Sequence, residues 1–189
     1  LALLFSLFLV PFLSFFFFLI SRAEPHDSVK AFSFSLSVAI YCGALTGFIA
    51  LIFSSSKNGN LWVFMLLLAT FIADTFAYAF GKTLGRHKLS RRLSPNKTWE
   101  GSIGSFLGTL LSVAVCKHFF LDLSWFEVGL LSLVLNVACQ LGDLSESFLK
   151  RGFGVKDSGK IIPGHGGILD RVDALIFGAP VLFFFSVLR

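Results

Sequence analysis

The sequence has 189 residues, 55% of them hydrophobic and 14% charged, with a formal net charge of +5 and a mean hydropathy of +0.81. This is too apolar for a soluble globular domain of that length, so most of the chain must face lipid. The expected fold class is all-α, a polytopic membrane bundle of about six transmembrane helices, because open strands cannot satisfy their backbone in lipid.

Six apolar stretches carry that expectation, at about 1–20, 31–53, 61–80, 103–121, 126–141 and 168–188. Each is close to the roughly 20 helical residues that cross a hydrocarbon core of about 30 Å; the fifth is short and can continue through Asp143. The first lacks the basic leader and small-residue cleavage site of a secretory signal, and its apolar run is too long, so it reads as a spanning helix. The chain begins with Leu and enters that run at once, so an upstream part is expected to have been lost or removed. The phenylalanines at 15–18 are lipid-facing bulk. Cys42, Cys116 and Cys139 stand singly in apolar stretches with no CxxC spacing, and they read as small buried residues without chemistry.

The third stretch holds Asp74, an ionisable group that costs about 2.5–3.5 kcal/mol within a spanning helix. A hydrogen-bond knot with Tyr78, one turn on, would be a structural compensation; a functional role is favoured, because intramembrane acids usually mark sites. In the loop that follows, Gly81-Lys82-Thr83 ends like a P-loop, but Phe76 stands where the first glycine is needed. No dinucleotide fingerprint occurs either. Arg86, Lys88, Arg91 and Arg92, with Leu89 and Leu93 four apart, predict a short interfacial helix on the membrane surface. Taken alone, such a loop does no more than hold topology and touch anionic headgroups. His26, His87 and His118 lie outside any motif.

Eleven of the sixteen Lys and Arg residues fall in two loops, 81–100 and 146–173, which are therefore expected on the cytoplasmic side. The intervening helix pair turns near 117–125 and returns the chain to that side. Both ends of the chain then fall on the far side, and the Asn96-Lys97-Thr98 sequon faces away from glycosylation.

The second loop is more than a topology anchor, because its basic residues are mixed with acids and with glycines at 152, 154, 159, 164, 166 and 167. Glycines let backbone N–H groups approach an anion, and Lys150, Arg151, Lys156 and Lys160 supply charge for phosphate oxygens. Asp170 and Asp173 are three apart, on one face of a helix start. Dipole stabilisation accounts for one carboxylate there, whereas two repel each other unless a cation sits between them. Asp143 is a third acid at the cytoplasmic end of the fifth helix, with Glu146 one turn on. Hard oxygen ligands beside phosphate-binding bases point to Mg²⁺ rather than zinc.

These residues also carry a resemblance. Ser147-Phe-Leu-Lys150-Arg151, Lys156-Asp157-Ser-Gly159 and Pro163-Gly-His165-Gly166-Gly167-Ile-Leu-Asp170-Arg171-Val-Asp173 resemble the signature of phosphatidate cytidylyltransferases, also called CDP-diglyceride synthases. Asp74-Thr-Phe-Ala-Tyr78-Ala-Phe-Gly81, Ser94-Pro95-Asn96-Lys97-Thr98-Trp99-Glu100-Gly101 and Gly142-Asp143-Leu144 with Glu146-Ser147 resemble the same family. The motifs span about half the chain, from Asp74 to Asp173, and family members usually carry further hydrophobic helices before that half.

The resemblance implies transfer of the cytidylyl group of CTP to phosphatidic acid, with catalytic loops on the cytoplasmic side. It implies Asp143 and Asp170 as metal ligands with Asp173 as a third, and Lys150, Arg151 and Lys156 on phosphates. Ser94, Asn96, Lys97 and Thr98 are expected to hold the nucleotide, with Asp74 and Glu100 in a polar cavity between helices. His165 is expected to contact phosphate or fix its loop rather than act as a base. The implied cofactor is Mg²⁺, with room for a monovalent cation such as K⁺.

The expected partners are CTP, phosphatidic acid and membrane lipid, with no nucleic acid and with room for a homodimer. Residues 1–60 are expected to form N-terminal membrane helices and 61–189 a catalytic membrane domain, in a bacterial inner membrane. The alternatives are a CTP-dependent lipid kinase, of the polyprenol or dolichol type, and a transport or scaffold protein in which Asp74 binds a permeating cation.

Overall fold

The structure is a computed structural model that describes residues 2–20, 24–55, 57–90, 94–152, 154–155, 158–159 and 169–188; the side chains of Asp170 and Arg171 lie outside the description. It is mostly helical. Helix α1 (Ala2–Ile20) is followed by α2 (Pro25–Val38), a π-helical stretch (Ala39–Ala44) and α3 (Leu45–Ser55). Then come α4 (Gly59–Thr83), α5 (Trp99–Phe119), α6 (Trp125–Gly152) and α7 (Leu169–Leu188). Between α4 and α5 a two-stranded antiparallel hairpin, β1 (Lys88–Ser90) and β2 (Ser94–Thr98), pairs Lys88 with Thr98 and Ser90 with Ser94.

Among the described residues three helices, α4, α5 and α6, are long and apolar enough to cross a membrane. The chain is accordingly an integral membrane protein. The apolar part of α7, Val172–Leu188, and that of α1, Pro11–Ile20, are shorter. The stretch expected at 31–53 is divided by the π-helical turns, where Tyr41 is buried while Ile40 faces outward.

Two expectations are corrected. The basic segment expected to lie as an interfacial helix contains strand β1 instead, paired with β2, a small addition to a mostly helical fold. Pro95 explains this: its ring keeps Ser94 out of the helical region and removes a backbone donor, so the segment extends and pairs with β1. The fifth helix is also much longer than its hydropathy suggests. α6 runs 28 residues, which places Asp143 in its interior rather than at its end.

In lipid the helices gain little from burying apolar side chains, so close backbone approach and interhelical hydrogen bonds decide the packing. Helix α5 presents Gly101, Gly104 and Gly108 to α4. A Cβ at Gly108 would stand 2.9 Å from the Ile72 carbonyl oxygen and 3.0 Å from Ala73 Cα. Across the other face of α5, Ser105 Oγ donates to Asn136 Oδ1 at 2.8 Å and Ser102 Oγ donates to Gln140 Oε1 at 2.6 Å, which ties α5 to α6.

The remaining buried hydroxyls of Thr70, Thr109, Ser112 and Ser132 donate to carbonyls four residues earlier and so are satisfied within their own helices. Phe71, Leu107, Leu111, Leu133 and Val137 point outward, as lipid-facing side chains do. The apolar core of Ile52, Met65, Leu66, Val113, Leu131 and Leu135 holds the bundle together below the polar end.

Candidate functional site

Helices α4, α5 and α6 and the hairpin enclose a cavity of about 320 Å³. Its wall includes Asp74 from α4, Ser94, Asn96, Lys97 and Thr98 from β2, and Asp143 from α6. Three separate segments of sequence thus meet here, and all six residues were singled out from sequence.

Local structure explains the convergence. Gly85 ends the approach of α4, since a Cβ there would stand 2.1 Å from the Gly81 carbonyl oxygen, and the chain turns into the hairpin. Thr98 ends β2 in an extended conformation (φ −127°, ψ 156°), and its Oγ1 accepts the Gly101 N–H at 3.1 Å as the N-cap of α5. The first turn of α5 therefore lies in the cavity wall, where the helix dipole favours negative charge.

On the far wall α6 crosses α7 at Gly142. A Cβ there would stand 2.5 Å from the Asp173 carbonyl oxygen and 3.1 Å from Phe177 Cβ, so only glycine lets the two backbones approach this closely. Tyr41 reinforces the crossing, donating its hydroxyl to the Gly142 carbonyl at 3.5 Å and packing its ring against Phe177. Asp173 consequently lies within electrostatic reach of Asp143, Lys97 and Asp74, and one of its oxygens accepts the Ala174 N–H at 2.7 Å. Asp143 pairs with the Lys97 ammonium across the cavity.

Asp74 and Asp143 line the cavity, and the Lys97 ammonium sits on Asp143. Asp170 lies in the first turn of α7, three residues before Asp173, with its side chain outside the described residues. Among the described residues no group of three or more His, Cys, Asp or Glu side chains stands close enough to hold a metal ion.

Other sequence-derived residues are placed elsewhere. Lys150 forms an ion pair with the buried Glu146 at 2.5 Å. Arg151 Nη1 donates to the Val155 carbonyl at 3.3 Å, closing the end of α6 around Gly154 at φ +67°. Neither lines the cavity, because the helix continues past the point where a loop was expected. Lys156 and His165 lie outside the described residues.

Glu100 turns away from the cavity wall toward His87, whose Nδ1 lies 2.7 Å from Glu100 Oε1. His87 was passed over in the sequence. The signal that could have found it is an acid in the first turn of a helix, an N–H-seeking position, joined to a histidine by a hairpin-length loop. Cys139, also given no role, lines the cavity floor with Gln140 and Thr70.

Comparison with known proteins agrees with this architecture. A solved structure described as an intramembrane enzyme for archaeal membrane lipids biosynthesis superposes with a TM-score of 0.50 at 20% identity, covering 66% of this chain and 77% of that one; it speaks to the fold alone. The phosphatidate cytidylyltransferase of Staphylococcus haemolyticus is 41% identical over 155 residues, covering 79% of this chain and 59% of that protein. That of Staphylococcus aureus strain COL is 41% identical over 156 residues, with the same coverage. The chain thus spans about 59% of the length of these curated relatives. A family match extends over residues 2–188, so the kinship read from motifs between Asp74 and Asp173 reaches the N-terminal helices as well, and the chain belongs to the cytidylyltransferase family.

Proposed function

We propose that this chain transfers the cytidylyl group of CTP to phosphatidic acid, giving CDP-diacylglycerol and pyrophosphate. The observation that carries the reading is the cavity in which Lys97 and the α5 N-terminus, both suited to phosphate, stand against Asp143 in a member of this family. A phosphate oxygen of phosphatidic acid attacks the α-phosphorus of CTP. One P–O bond forms, the bond from the α-phosphorus to its bridging oxygen breaks, and pyrophosphate leaves with the electron pair.

A phosphomonoester with a second pKa of about 6 is largely ionised at neutral pH, so no base is needed to activate it. The work of the site is to bring two polyanions together and hold them in line. Lys97, Asn96, Ser94 and Thr98 grip the triphosphate, and Asp74 with Tyr78 shapes the wall beside it. Asp143 and Asp170, with Asp173 as a third ligand, would hold Mg²⁺, which would supply charge neutralisation at the phosphates. Lys150 and Arg151, outside the cavity wall, add positive charge, and Lys156 and His165 contact phosphate.

The same reading places the site on the cytoplasmic side of a bacterial inner membrane, with six spans in all and residues 61–189 as the catalytic domain.

The test is incubation of the purified protein in detergent with phosphatidic acid and α-labelled CTP, with and without Mg²⁺. Label is expected in the lipid phase only when Mg²⁺ is present. Label that stays in water as CDP would refute this reading in favour of a lipid kinase. Lys97→Ala should raise the KM for CTP by about tenfold, the share of one charge-assisted contact. An unchanged KM in steady-state assays would remove Lys97 from the nucleotide site.

A further inference from the structure

We propose that His87 is a positioning residue for nucleotide binding: with Glu100 it forms a latch that closes the base of the hairpin and holds β2 against the cavity. The identity of the ligand rests on the function proposed above; the latch itself does not.

Several contacts converge on this base. The His87 Nδ1 lies 2.7 Å from Glu100 Oε1, where the carboxylate oxygen is the acceptor. The His87 backbone N–H points between both Glu100 oxygens at 3.3 Å from each. The His87 carbonyl accepts the Trp99 N–H at 2.9 Å. The residue just before β1 is thereby joined to the two residues just after β2, through side chain and main chain together.

An isolated surface pair of this kind contributes little, and the His87 side chain is 77% exposed. Two features make this pair different. The Glu100 carboxylate is only 22% exposed and receives a main-chain donor as well as the ring. The hairpin it closes is also weak by itself, because two register pairs with an irregularity between them make a ribbon that is marginal in isolation.

Its second strand nevertheless carries Ser94, Asn96, Lys97 and Thr98 into the cavity. Opening the base lets that strand fray, and the groups lost first are those that grip the nucleotide. The backbones that carry Asp143 and Asp173 keep their places, since the Gly142 crossing sets them. The latch therefore acts on affinity and leaves the chemical step alone.

The test uses His87→Ala and His87→Asn in the full chain, the asparagine amide replacing the Nδ1 donor at the same reach. With saturating phosphatidic acid, His87→Ala should raise the KM for CTP about fivefold with kcat within about twofold, as expected for a partly exposed hydrogen bond to a charged group. His87→Asn should restore KM. Hydrogen exchange of the amides at 96–99 should quicken in His87→Ala and return toward wild type in His87→Asn, and this readout needs no turnover. Combined with Glu100→Ala, His87→Ala should add no further rise, because the latch is already open.

Unchanged exchange and KM in His87→Ala, a fall in kcat alone, failure of asparagine to rescue, or additive effects in the double variant would each overturn the latch. If the wild-type protein releases no pyrophosphate from CTP and phosphatidic acid, the proposed function fails, while the exchange data still decide whether His87 holds the hairpin.

Discussion

Asp143→Asn should lower lipid-phase labelling by about a hundredfold or more, in the range seen when one preorganised electrostatic group is removed from a reacting centre. The substitution keeps the shape of the side chain and removes its charge. It leaves Lys97 without its carboxylate partner and removes one of the proposed metal ligands, Asp143, Asp170 and Asp173. Asp143 is partly exposed, so the helix should tolerate the change and the melting temperature in detergent should move little. Wild-type turnover in Asp143→Asn would show that this carboxylate takes no part in the chemistry. Equal loss of folding and activity would make its role structural.

Gly142→Val should be nearly as damaging for a different reason. The first added carbon meets the Asp173 carbonyl oxygen at 2.5 Å, so α6 and α7 must separate. Overpacking of this kind costs about 1–3 kcal/mol and lowers the melting temperature. It also moves Asp143 away from Asp173, and a displacement of about 1 Å at a reacting centre can cost about a hundredfold in rate. Gly129→Ala is the control: nothing lies within 4 Å of the added carbon, and an alanine within a helix is favoured over glycine by about 0.5–1 kcal/mol. A Gly142→Val protein with full activity would mean that the crossing does not set the geometry of the site.

The membrane helices were legible because long apolar runs have one solution in lipid, and α4, α5 and most of α6 fall where hydropathy puts them. The end of α6 was not. Hydropathy falls at Gln140 and Asp143, but the helix continues because Leu144, Phe148 and Leu149 still offer it an apolar face. The Glu146–Lys150 spacing of four, a helical signature, was the available signal that Lys150 would find a partner on its own helix.

The hairpin was hidden for the opposite reason. Basic and apolar residues spaced by three and four imitate a surface helix, and Pro95 alone argued for extended backbone. Within the cavity, Asp74, Lys97 and Asp143 could be chosen by residue type, since charge near a bilayer has to be compensated. Their meeting could not be read from type alone, because it depends on glycines in α5 and α6 whose partners lie on other helices.

Helix α6 has a further consequence. At 28 residues it is about 42 Å long, whereas the oily interior of a bilayer is about 30 Å thick, so about two turns stand clear of it. If the chain has the activity proposed above, such a spar would let it take a greasy reactant without lifting it out of the leaflet while one end stays in water. On the function proposed above, the two products would then part by solubility alone, the diacylglycerol derivative sliding sideways among its neighbours and the small polyanion escaping into the aqueous phase.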